Sequence, residues 1–142
     1  MKTLTLLFFL AMGSAHAADE PAGLRGIMQD LGQQMQKGAD AIAREDWPAL
    51  TLIARKLAEH PAPPATEKVR ILTALGNDAA RFRELDHQTH HAANEMGEAA
   101  KKADGRLVIE AYAKVQSACL ACHQGFRSRV RQAIDAPFVK KR

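Results

Sequence analysis

Residues 104–137 read DGRLVIEAYAKVQSACLACHQGFRSRVRQAIDAP. Apolar or small side chains recur at Leu107, Val108, Ala111, Val115, Ala118, Cys122, Phe126, Val130 and Ile134, spacings that gather one stripe on a helix. Asp104-Gly105 makes a tight turn before that stripe, and Pro137 ends it. The rest of the chain repeats this pattern. Strand signals are nearly absent, aromatic residues make up 5% of the sequence and alanine is abundant, which favours an all-α domain.

Three further helical stretches separate at breaks. From about Glu20 to Arg44, with Pro21 suited to the first turn, Leu24, Ile27, Met28, Leu31, Met35, Ala39 and Ile42 keep helical spacing. Asp46 can cap a second helix through Trp47-Pro48, whose inward face is Leu50, Ile53, Ala54 and Leu57 before His60-Pro61 stops it. Residues 61–65, PAPPA, read as a stiff connector. Thr66 restarts a helix that runs to about Ala103 and places Val69, Leu72, Leu75, Ala79, Phe82, Leu85, Thr89, Ala92, Met96 and Ala99 inward. Gly76 is a candidate kink that would divide this stretch into two helices in sequence. Short connections make neighbours antiparallel, so the expected architecture is an all-α, up-down-up-down antiparallel four-helix bundle.

The amino terminus carries a different signal. Met1-Lys2, an apolar run from Thr3 to Met12 and the small-residue end Ala15-His16-Ala17 match a secretory signal peptide. The apolar run is well short of the roughly 20 residues that span a bilayer. The expectation is therefore a signal peptide over 1–17 and one exported domain over 18–142, with no membrane insertion after cleavage. Formal net charge is +4 for the whole chain, and loss of Lys2 brings it to about +3. The basic residues are scattered, apart from Arg127, Arg129, Arg131 and the Lys140-Lys141-Arg142 tail, which argues against a nucleic-acid partner.

Exported chains usually spend paired cysteines on disulfides. Cys119 and Cys122, however, lie three residues apart inside a predicted helix, where a bridge would have poor geometry and add little constraint. Cys119-Leu120-Ala121-Cys122-His123 has the spacing of c-type haem attachment. Two thiols one turn apart can bond the two vinyl groups of one haem while the adjacent imidazole meets the iron. A zinc site would need further soft ligands, and the chain has no other cysteine. A thioredoxin-like pair would open a helix after a strand, which is not the context here. The expected cofactor is one covalently attached haem c.

With those residues in view, the sequence resembles the cytochrome c prime superfamily, the class II c-type cytochromes. The resemblance is sharpest in Cys119-Leu120-Ala121-Cys122-His123-Gln124-Gly125-Phe126-Arg127 and in Ile27-Met28-Gln29-Asp30. It implies a bundle with the attachment motif near its carboxyl end. In the low-spin branch of that family a Met in the first helix is the second axial ligand, and Met28 looks like that residue. The helix levels point the same way. In an antiparallel pair, His123 lies opposite a position near residue 31, while Met35 lies about 10 Å further along the helix than Met28. Met35 and an open iron remain the alternatives.

Arg127 matches a family position for a basic residue near the haem and is a candidate propionate partner, although a solvated arginine reads the same. Phe82, Leu31, Phe126 and Leu85 are candidates for the apolar pocket wall. His87, His90, His91 and Glu95 have helical spacing that could bind a metal, and His87 could compete as a haem ligand if it turned inward, but a solvated face is the expected reading. The expected function is a periplasmic carrier of single electrons, working with redox protein partners and with no catalytic residue. Two alternatives stay open: a five-coordinate high-spin haem protein that binds small gases such as NO or CO, and a haem-free structural bundle. Homodimerisation occurs in the resembled family and is an open expectation here.

Overall fold

A computed structural model describes residues 23–136, so the expected signal peptide over 1–17 and the basic carboxyl-terminal tail lie outside the described residues. The chain forms α1 (Leu24–Ala43), α2 (Trp47–Ala58), α3 (Ala65–Leu75), a single 3-10 turn (Gly76–Asp78), α4 (Ala79–Lys101) and α5 (Gly105–Asp135). No strand occurs among the described residues. Taken together, α3 and α4 form one leg broken at Gly76, whose φ of +52° is a left-handed conformation that a glycine adopts without strain. The result is the up-down-up-down four-helix bundle.

Two short corners define its antiparallel order. After α1 the Glu45 and Asp46 amides donate to the carbonyls of Ile42 and Ala41, and after α4 the Ala103 and Asp104 amides donate to those of Ala100 and Ala99. This is the same double closure at both helix ends. Each aspartate then opens the next helix: Asp46 accepts from the Ala49 amide and Asp104 from the Leu107 amide, both at 3.0 Å. The closure demands a positive φ at the residue before the aspartate, yet Glu45 (55°) and Ala103 (52°) are not glycines. Ala103→Gly is therefore expected to raise stability by about 0.5–1 kcal/mol, part of the left-handed penalty being returned to the unfolded chain's entropy. Urea denaturation checks this, and an unchanged or lower midpoint would contradict it.

The buried side chains divide into two groups. The main core joins α2, α4 and α5 through Leu50, Leu57, Ala93, Met96, Val108 and Val115, each at most 2% exposed. Small residues permit close approach there: a Cβ on Gly97 would stand 3.3 Å from that of Ala54. The second group, Leu24, Ile71, Leu75, Leu85, Phe126 and Val130, lies where α3 meets the far half of α5. Side-chain ties fasten this end. Glu67 of α3 accepts from the Leu24 amide at 2.9 Å, capping α1, whose own N-cap residue supplies no side chain. Arg70 donates to the Ile134 carbonyl at 3.2 Å.

Four positions of the expected inward stripes turn outward. Val69 is 63%, Met28 40% and Leu107 39% exposed, and Ala39 is exposed as well. The turn at Gly76 resets the helical phase, so α3 buries Ile71 and Leu75, one turn apart, in place of the register that continues from α4.

Candidate functional site

The motif sits at the junction of the two cores. Cys119 packs against the main core and Cys122 against the second. Both thiols are free. Burial pushes both above the ordinary thiol range, and for Cys122 the negative charge of Asp86 adds to it, so both are held as neutral thiols. The His123 ring is pulled below the ordinary imidazole range, first by burial and then by the Arg127 guanidinium. That favours the neutral ring, the form whose nitrogen lone pair can bind a metal.

Cys122 and His123 line a cavity of about 760 Å³ whose other walls come from α1, the α2–α3 connector, α3 and α4. Its apolar part includes Leu24, Ile71, Phe82, Phe126 and Val130. Phe82 and Phe126 meet edge to face, centroids 5.5 Å apart, and the Arg129 guanidinium stands 5.2 Å over the Phe126 ring. Five basic side chains, Arg25, Lys68, Arg83, Arg127 and Arg131, also border the cavity, against one carboxylate, Asp86.

Met28 borders the same cavity and is 40% exposed, whereas its neighbour Ile27 is buried at 3%. Its thioether is thus available to the cavity and not spent on packing. The other described methionines are placed differently: Met35 packs against the main core and Met96 is 0% exposed within it. The level of the helices agrees. Arg25 and Asp135 pair at 2.6 Å near one end, and Tyr112 Oη donates to the Met35 carbonyl at 2.9 Å further along. Met28 falls between the two α1 residues, as His123 falls between the two α5 residues.

Of the expected wall residues, Phe82, Phe126 and Arg127 line the cavity. Leu31 does not: it packs against the main core. The α1 stripe crosses from the second group at Leu24 to the main core, and Leu31 lies past the crossing. Leu85 is buried in the second group, beneath the wall. Among the histidines considered, His91 pairs with Glu95 at 3.4 Å on the exposed face, and His87 is exposed outside the cavity.

Several lining residues went unread in the sequence. Arg131 stands one turn past Arg127, which stands one turn past His123, a face that helical spacing alone displays. His60 and Lys68 could not be found that way, because the connector delivers them from another element.

The contents of the cavity suit a haem. It offers the neutral thiol of Cys122, an imidazole biased to its neutral form, a thioether, apolar walls and a basic border for two carboxylates, while the Cys119 thiol lies one turn back on α5, outside the lining and against the main core. A family model described as Cytochrome C' matches residues 22–127, which includes the whole attachment motif and Met28. Comparison with curated proteins and with solved structures gave no match.

Proposed function

This chain belongs to the cytochrome c′ family, and from that premise we propose that it carries single electrons in the periplasm, with one haem bonded to Cys119 and Cys122 and its iron held between His123 and Met28. The observation that carries this reading is Met28, a methionine exposed to the cavity that Cys122 and His123 also line. Bound haem supplies a one-electron ferric–ferrous couple.

The chain's own residues do the rest. Covalent bonds from the two cysteines keep an exported protein from losing its cofactor. The thioether of Met28 is a weak donor that favours the reduced state, and it occupies the position a substrate would need. Leu24, Phe82, Phe126 and Val130 exclude water from the centre, which favours the less charged state as well. Arg127 and Arg131, one turn apart, offer charge-assisted hydrogen bonds to propionates, with Lys68 and Arg83 across the cavity. This reading assigns no catalytic residue, and redox proteins are the expected partners.

Gas binding at a five-coordinate iron is the second reading. What favours it is Leu24, one turn before Met28 and lining the same cavity, which could cover an open sixth position. Carbon monoxide added to the reduced protein separates the two. An unchanged spectrum is expected of the electron carrier, and rapid formation of a carbonyl complex would transfer the proposal to gas binding. Export rests on the leader-like amino terminus and on the family. Among the described residues no helix is long and apolar enough to cross a membrane.

A further inference from the structure

A second cluster on the cavity wall has chemistry that the haem reading leaves unused. His60, just after α2, and Asp86 and His90, one turn apart on α4, bring three ligand atoms within 4.8 Å of one another. We propose that His60, Asp86 and His90 form a binding site for a divalent transition-metal ion of the zinc type.

Hydrogen bonds decide which atoms are free. His60 Nδ1 lies 3.2 Å from the Pro61 carbonyl, and His90 Nδ1 lies against the carbonyl of Ala58. A carbonyl only accepts, so each Nδ1 carries the proton and donates it. Each neutral ring then keeps its lone pair on Nε2, and both Nε2 atoms face Asp86, at 3.7 Å for His60 and 3.4 Å for His90. Two lone pairs and a carboxylate turned toward one another repel. The two rings are stacked with centroids 4.6 Å apart, so the one carboxylate meets both imidazoles together. One divalent cation satisfies all three groups together.

The spacing suits such an ion. Metal–ligand bonds of about 2.0–2.2 Å in a tetrahedron give ligand–ligand edges of about 3.4 Å; His60 Nε2 stands 3.7 Å from Oδ1 of Asp86 and His90 Nε2 3.4 Å from Oδ2, so the two imidazoles address different oxygens of one carboxylate, and one ligand atom from each residue lies within 4.8 Å of the others. Histidine Nδ1 donating to a backbone carbonyl is the outer contact that orients metal-binding imidazoles. Two imidazoles and one carboxylate favour zinc or copper over calcium or magnesium. The site is partly prepared, the side chains of His60 and His90 being 12% and 26% exposed. A fourth position stays open to water. An ion there would fasten the α2–α3 connector to α4, and this holds whichever residue takes the sixth place on the haem iron.

The test uses the purified haem-loaded protein, stripped of loose metal by a chelator and titrated calorimetrically with zinc chloride. Retained zinc is counted by mass spectrometry. One zinc per chain with a micromolar or tighter Kd is expected. Asp86→Asn and His60→Gln should each weaken it at least about tenfold, while His91→Gln should leave it unchanged. Should a variant fail to fold, X-ray absorption at the zinc edge of the wild type decides, with a pair of imidazoles and oxygen expected around the metal. The proposal is overturned by an absence of stoichiometric zinc, by an affinity indifferent to both His60→Gln and Asp86→Asn, or by a zinc edge without imidazoles. A change of haem spin state in His60→Gln would mark that histidine as an iron ligand and overturn it too.

Discussion

Replacing Met28 by alanine is expected to turn a low-spin haem that resists carbon monoxide into a high-spin one that binds it. Met28 spends little of its surface on packing, being 40% exposed at the cavity, so its removal empties the sixth position without breaching either core. An external ligand competes with the thioether for the iron, and its apparent affinity is reduced by the fraction of protein with that position free. If Met28 occupies it about 99% of the time, Met28→Ala raises carbon monoxide affinity about 100-fold. The reduction potential should fall by on the order of 0.1 V as the soft donor is lost. Met35→Ala is the matched control. It removes a side chain packed on the main core, so it should cost stability and leave spin state unchanged. A potential that moves equally in both variants would contradict the assignment.

The second large effect concerns attachment. Cys119→Ser combined with Cys122→Ser is expected to yield protein without covalent haem and with a much lower melting temperature. Without the cofactor, a cavity of about 760 Å³ bordered by Leu24, Ile71, Phe82 and Phe126 must fill with water or collapse. The side-chain tie from α1 to the far half of α5 is the Arg25–Asp135 pair, and the capping of Leu24 by Glu67 fastens α1 to α3. A loss of about 4 kcal/mol is expected, close to 15 °C in Tm for a domain of this size. Leu120→Ser, between the two cysteines but 56% exposed, should change stability by less than about 0.5 kcal/mol and leave the haem in place. Covalent haem persisting in the double variant would refute attachment at these thiols.

Much of the bundle was legible in the sequence because its rules are local. Leu50, Ile53, Ala54 and Leu57 all face inward as their spacing predicts, and Asp46 caps α2 as its position predicts, whereas Asp104, read with Gly105 as a turn, is the cap of α5 and Gly105 its first residue. Legibility failed where phase or distance intervened. Val69 fitted a stripe extended across Gly76, and the left-handed turn there rotated α3 so that Ile71 took its place. Leu31 shares a stripe with Leu24, yet the two face different cores, because periodicity shows which face of a helix is apolar and not what each part of it meets. His60 read as the end of α2. Only the fold brings it, through a proline-rich connector, beside Asp86 and His90. At the site itself the attachment motif was plain, whereas the basic border from α1, α3 and α4 required the assembled cavity.

The most direct test of His123–Met28 ligation is a proton NMR spectrum of the reduced protein with its methionine methyl groups isotopically labelled. A methyl fixed over the face of a low-spin ferrous haem is shifted upfield of every ordinary methyl by the ring current. One such resonance is predicted, present in the wild type and in Met35→Ala and absent in Met28→Ala. A wild-type spectrum with no upfield methionine methyl, or one that keeps it when Met28 is replaced, would contradict the account.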